Sequence, residues 1–256
     1  MNKFITYVTV SLKDTLVYRG DVALYTGSGV VFTLITLILW LNTNTGSPQF
    51  YIQYYFFLLL VGLICSSWNS IFISRDIRFG RISPFLVKPI PYIIHQAGNN
   101  IGEKLVKLVF LIPILLALGL FFRFTFPVVA PVVWLAFVIS VLFAAVINFI
   151  LEFIVGITAF WLDDSEALRE IYGVTSLAFS GRFVPLVVLP LFFRKLAAFL
   201  PFRYSLSLPL EIITKELPVD QLFPLLVIQF GVLLAVIFLC RLLWQWGLVR
   251  YTASGN

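Results

Sequence analysis

The chain has 256 residues, 61% hydrophobic and 12% charged, with a net charge of +6 and a mean hydropathy of +1.01. A soluble domain is nearer half apolar and a quarter charged. This composition therefore excludes a water-soluble core and describes an all-α polytopic membrane protein with several spans. The basic balance, with a pI of about 9.4, is assigned to cytoplasmic loops facing anionic lipid, and no nucleic-acid partner is expected.

In chain order, residues 1–20 come first as an amphipathic segment. Phe4, Tyr7, Val8, Leu12, Leu16 and Tyr18 follow helical spacing, with Lys3, Lys13, Asp14 and Arg19 between them. This predicts a helix lying in the membrane interface, and its recurrent polar residues argue against a signal peptide. The first span is expected at 22–41, with Gly27-Ser28-Gly29 inside it as a close helix-packing point. A polar turn, NTNTGSPQ, leads to the second span at 51–73. A polar island, 74–92, follows with the sequence SRDIRFGRISPFLVKPIPY.

The third span is expected at 103–122, where Lys104 and Lys107 snorkel from its start. The fourth, 131–162, is 32 residues long, against the roughly 20 a bilayer needs, so it tilts or continues past the membrane. After the acidic loop DDSEALRE, a fifth span at 166–184 runs into a segment broken by Gly181, Arg182, Pro185, Pro190, Pro201 and Pro209. Internal prolines remove backbone donors and clash with the preceding turn, so 185–218 is read as short re-entrant or interfacial pieces. The last span is 221–243. With six spans both termini share a side. That side holds 12 of the 18 lysines and arginines and the other holds 6, which places both termini and the island in the cytoplasm. Trp40, Trp134, Trp161, Trp244 and Trp246 lie near the expected span ends.

No GxxxxGK[ST] occurs. GNNIGEKL, 98–105, has the wrong spacing and puts Glu103 before Lys104, so the chain lacks a phosphate-cradling loop of its own. There is no HExxH, no GxSxG and no paired carboxylate within a span. No metal site is expected, and the two cysteines, Cys65 and Cys240, lie in apolar runs without CxxC spacing. His95, the single histidine, is read either as a proton-relay group or as a structural one. Glu152 is the one acid placed at membrane depth. It either touches substrate or coupling, or caps and pairs locally. Arg182 either lines a cavity or anchors to headgroups.

The island mixes basic residues with Ile77, Phe79, Phe85 and Leu86. RDIRFGRI is long enough for about two helical turns, with Gly80 interrupting them and Pro84 and Pro89 stiffening the exit. Such a segment suits acidic lipid or a groove on a soluble partner.

Three stretches together resemble the ABC-2 type permeases of bacteria. DIRFGRISPFLVKPIPY, followed by EKLVKL, is similar to that family's cytoplasmic loop; SGRFVPLVVLPLFFRKLAAFLPFRYSLSLPLEI, 180–212, to its proline-rich outer segment; and WQWGLVRYTASGN to its C-terminal motif. Phe79 and Phe85 depart from the family pattern, standing where small or polar residues are common. The resemblance implies a permease subunit of an ATP-driven transporter, most often an exporter, in the bacterial inner membrane. It would bind no cofactor itself, with ATP-Mg held by two copies of a separate ATPase, and would pair with a second permease chain as homo- or heterodimer. It assigns Arg75, Asp76, Ile77, Arg78, Phe79, Gly80, Arg81, Pro84, Phe85, Leu86, Lys88 and Pro89 to a coupling helix. Gly181, Arg182, Pro185, Pro190, Pro201, Phe202 and Pro209 would belong to an outer re-entrant gate, and 1–20 to a connecting helix. The runner-up is a stand-alone channel or secondary transporter, which usually carries ionisable residues deep in several spans or matched broken helices in two halves. A membrane-embedded enzyme would need polar groups converging at one depth.

Overall fold

The computed structural model describes residues 3–43, 46–162, 165–214 and 217–251. Among them every regular element is helical. Helix α1 (Lys3–Val17) leads directly into α2 (Arg19–Leu41), and α3 (Pro48–Cys65) is followed after three residues by α4 (Asn69–Arg78). A single-turn helix, α5 (Ser83–Leu86), precedes α6 (Tyr92–Phe121) and α7 (Pro131–Ile157). Then come α8 (Glu166–Phe179), α9 (Leu191–Phe199), a π-helical turn at Arg203–Ser207, α10 (Leu208–Ile213) and α11 (Val219–Arg250).

Five stretches are long and apolar enough to cross a membrane: 19–41, 48–78, 92–121, 131–160 and 219–250. A sixth arises if α9 and the 203–213 helix, bent by 89° at their break, count as one span. The chain is therefore an all-α multi-pass membrane protein. The expected second span is not continuous, because the helix breaks at Ser66–Trp68. The third begins at Tyr92, eleven residues before its expected start.

The expected fifth span is helical over only part of its length. Its helix, α8, has 14 residues and rises about 21 Å, short of a hydrocarbon core of roughly 30 Å. Yet the Ser165 and Ser74 hydroxyls are 2.5 Å apart at α4, and the Phe183 carbonyl accepts from Trp40 Nε1 at the end of α2 (3.2 Å). The chain thus passes from α4 to the far end of α2, and only the first part of that path is helical. Lys215 and the acidic-loop residues Asp163 and Asp164 lie outside the described residues.

α7 is the central helix. It packs against α3, α4, α10, α11 and the π turn, and Ala144, Ile147 and Ile157 on it are completely buried. Small residues, Ala136, Ser140 and Ala144, let its neighbours come close, as helix packing in lipid favours. The outward faces of α2, α6 and α11 stay apolar and exposed, as lipid-facing surfaces do: Leu24, Val109, Leu116, Leu120, Phe223 and Phe238 are examples. On α2 the hydroxyls of Thr26, Thr33 and Thr36 donate back to carbonyls of their own helix, so they cost little at membrane depth.

Two glycine motifs exchange the roles expected of them. A Cβ at Gly27 or Gly29 would meet no heavy atom within 4 Å, so GSG is not a packing point among the described residues. GNNIG, by contrast, is one. A Cβ at Gly98 would stand 2.7 Å from Tyr7 Cβ, and one at Gly102 2.7 Å from Ser11 Cβ. The four-residue spacing puts both glycines on one face of α6, and α1 lies along that face. Ser11 Oγ adds a hydrogen bond to the Asn99 carbonyl at 2.9 Å.

Candidate functional site

The island occupies the end of α4, a turn, α5 and the Pro89–Pro91 connection. α4 stops at Gly80, whose φ of 68° is left-handed and unstrained only without a side chain. Arg75, Arg78, Phe79, Arg81, Pro84, Leu86, Lys88 and Pro89 are exposed. Arg81 stacks on the Phe79 ring at 5.5 Å and Lys88 on the Phe85 ring at 4.5 Å. Asp76, Ile77 and Phe85, grouped with these on sequence grounds, face inward and hold the segment instead. Ile77 is in the core. Asp76 Oδ2 accepts from Tyr92 Oη at 2.6 Å. Phe85 packs on Tyr92 and His95 with ring centroids 5.3 and 4.6 Å apart. His95 also meets Tyr7 of α1 edge-on at 4.9 Å, so its contacts join α1, α5 and α6 and fit the structural reading.

The C-terminal motif residues converge on the same segment. The Trp244 and Tyr92 rings are stacked at 9° and 6.0 Å. Tyr251 Oη lies 2.6 Å from Ser83 Oγ. Gly247 faces Phe160, whose ring leaves no room for a Cβ. The island is thus bound at one end by α6 and at the other by the end of α11.

Above the island, the break at Ser66–Trp68 frees backbone groups that lipid cannot satisfy. Other helices satisfy them. Asn148 Nδ2 of α7 donates to the Cys65 carbonyl at 2.7 Å, and Asn100 Nδ2 of α6 to that of Ser66 at 3.4 Å. Glu152 Oε2 accepts from the Ser70 N–H at 3.4 Å. It therefore sits at the N-terminus of α4, where the helix dipole favours an anion. Gly156 lets α4 approach α7, since a Cβ there would stand 2.7 Å from Ile73 Cβ.

The break opens a polar cleft of about 360 Å³ between α3, α4, α7 and α8, lined by Ser66, Ser70, Asn148, Glu152, Arg169, Tyr172, Ser176, Ser180, Arg182 and Ser205. Tyr172 Oη donates to Asn148 Oδ1 at 3.2 Å, and Arg169 pairs with Glu166 at 2.9 Å. Arg182 is exposed and lines this cleft.

The proline-broken segment is held by hydrogen bonds from α2 and α3. Gly181, with φ 81°, leaves no room for a side chain beside Tyr54 Oη. Tyr54 donates to the Gly181 carbonyl (2.8 Å) and Tyr55 to that of Phe183 (2.9 Å). Pro185 and Pro190 precede the 3₁₀ turn Leu186–Val188 and α9 respectively. Pro201 and Phe202 lie at the 89° bend, and Phe202 packs on Tyr172 at 5.6 Å. Pro209, which has no N–H to give, follows the π turn that absorbs the missing bond.

Sequence reading missed a second buried acid here. Glu211 accepts from Arg203 Nη2 at 2.6 Å and Nε at 3.2 Å, and from Ser207 Oγ at 2.7 Å. The spacing of eight residues across a proline-broken stretch hides this pair from any helical periodicity. The helix break at 66–68 was also missed, although the polar run SSWNS marks it.

A family model described as ABC-2 family transporter protein matches residues 43–255. No curated protein and no solved structure matches the chain.

Proposed function

The chain belongs to the ABC-2 family of transporter proteins and is an ABC transporter permease; from that premise we propose that residues 75–89 receive the work of a separate ATPase. In this reading two ATPase copies bind ATP-Mg, a second permease chain completes the transporter, and the direction is export. The sequence supports this by holding no phosphate-binding loop. One observation carries the reading: a basic and aromatic turn, with Arg75, Arg78, Phe79 and Arg81 exposed, is bound to two long helices at once, α6 through Asp76–Tyr92 and the end of α11 through Ser83–Tyr251.

A partner shifts an equilibrium only by its different affinity for two states. The island must therefore sit differently against the ATPase in its open and closed forms. Because α4 is separated from α3 by the break at 66–68, a push on the island turns α4 against α3. Ser66, Ser70 and Glu152 line the cleft at that hinge, so the cleft opens or closes as α4 turns. In this reading the cleft belongs to the substrate path.

The test is a charge reversal, Arg78→Glu with Arg81→Glu. Exposed charges contribute little to stability, so the variant folds, while electrostatic association with an acidic groove weakens by about tenfold or more. The expected result is loss of ATPase co-purification and of ATP-driven transport. If docking and vanadate-sensitive transport are both unchanged, the island is not the coupling element.

A further inference from the structure

Charge compensation in the cleft is uneven. Arg169 is paired with Glu166, and Glu152 is engaged by the Ser70 N–H. Lys107, on the wall of the neighbouring groove, is paired with Glu103 and lies over the Trp68 ring. Among the described residues, Arg182 has no hydrogen bond, ion pair or ring contact. Its backbone is nevertheless fixed on both sides, because the carbonyls of Gly181 and Phe183 are held by Tyr54, Tyr55 and Trp40. A cation whose main chain is clamped and whose side chain opens into a polar cavity is arranged to receive an anion.

The cavity next to it supplies the rest of the ligand's shape. A groove of about 390 Å³ runs between α2, α3 and α6, its apolar wall formed by Val30, Leu58, Leu59, Leu63 and Leu111, with the hydroxyls of Thr26, Ser28 and Thr33 on its α2 side. Arg182, Ser66, Gly62, Trp68 and Leu177 line both spaces, so the cleft and the groove meet at Arg182. Glycines keep this passage open: a Cβ at Gly29 or Gly62 would meet nothing within 4 Å. Sites that bury small ligands are typically about 300–1,000 Å³ and mostly apolar, with few polar groups fixing orientation.

We propose that this space binds an amphiphile with an anionic head, the head on Arg182 and the apolar body in the groove. The inference deepens the permease reading by naming a substrate class, and it rests on that reading only for the meaning of binding, not for binding itself. The shared chemistry is a carboxylate or phosphate monoester on a hydrocarbon chain. A cationic head is disfavoured, because the carboxylates at the site already have partners and Arg182 would repel it.

Trp68 lines both spaces and serves as the reporter. The full-length protein, in discs of neutral phosphatidylcholine, is titrated with dibromostearate, whose bromines quench tryptophan fluorescence. The same protein with Trp68→Phe supplies the background. A saturable Trp68 component is expected, weakened about tenfold or more in Arg182→Gln and largely kept in Arg182→Lys, as loss of a charge-assisted hydrogen bond predicts. Lysophosphatidate should compete, inorganic phosphate alone should not, and a brominated alkyl amine should show no saturable component. Gly29→Leu, which fills open space in the groove rather than touching the head, should abolish binding with the fold intact. This keeps the test decisive even if Arg182→Gln does not fold.

Equal affinity in Arg182→Gln, equal binding of the amine, competition by inorganic phosphate alone, or no saturable component at all would each overturn the proposal. The assay contains no ATPase. A failed ATPase co-purification therefore strikes the coupling reading alone, and a failed titration strikes this one alone.

Discussion

Gly247 and Gly29 look alike in sequence, each a glycine inside an apolar helix, but they stand in opposite surroundings. At Gly247 a Cβ would overlap the Phe160 ring, whereas at Gly29 it would meet nothing within 4 Å. Gly247→Ala therefore overpacks the contact between α11 and the 3₁₀ turn after α7, at a cost of about 1–3 kcal/mol. Gly29→Ala instead removes backbone freedom from a helix interior and stabilises by about 0.5–1 kcal/mol. Thermal unfolding of the two purified variants should move in opposite directions; a shared direction would show that the Phe160 contact is not tight. Arg182 and Arg203 contrast in the same way. Arg203 is locked to Glu211 and serves the fold of the proline-broken segment, while Arg182 has no such partner among the described residues.

At the scale of elements, the island is less a loop than a junction. Its inward residues bind it to α6 through Asp76–Tyr92, and the Ser83–Tyr251 contact binds it to the end of α11. Tyr251→Phe removes one hydrogen bond worth about 0.5–1.5 kcal/mol, too little to unfold the chain. It leaves the exposed surface of Arg75, Arg78 and Arg81 unchanged. ATPase co-purification should therefore persist while stimulation of ATP hydrolysis by the reconstituted permease falls. Loss of both would mean that the tyrosine acts on folding rather than on transmission. The break between α3 and α4 has the same double character. It frees backbone groups, and Asn148, Asn100 and Glu152 from two other helices hold the pieces without fusing them. Sequence reading credited the chain with one broken region, the proline-rich segment; the structure adds this second one.

For the whole molecule the charge asymmetry makes a topological prediction. Both native cysteines are buried, so single introduced cysteines report cleanly. Val128, 87% exposed in the connection between α6 and α7, lies on the side opposite the island. Val128→Cys should react with a membrane-impermeant maleimide in intact cells, and Arg78→Cys only after permeabilisation. The reverse pattern would invert the orientation that the lysine and arginine count assigns. The large exposed apolar faces of α2, α6 and α11 fit the same picture, since lipid gives no reason to bury them.

The membrane class, the interruption at Gly80 and the proline-broken segment could be read from the chain, while the span limits could not: α6 starts eleven residues before its expected start and the second stretch is broken at 66–68. Each is a local property: a run of apolar residues matched to bilayer thickness, a glycine before a basic turn, a proline with no N–H. The segment at 166–184 reads in sequence as one continuous span, whereas the structure has a 14-residue helix followed by irregular chain. Its irregular end is held by Trp40 and Tyr55, more than 120 residues earlier. The tertiary structure decided that GNNIG packs α1 against α6, that the span is broken at 66–68, that Glu152 accepts from the N-terminus of α4 and that Arg182 has no partner among the described residues. The physical reason is common to all four. Each depends on which distant groups satisfy a backbone or a charge in a medium that offers no water to do it, and local pattern carries no information about partners drawn from other helices.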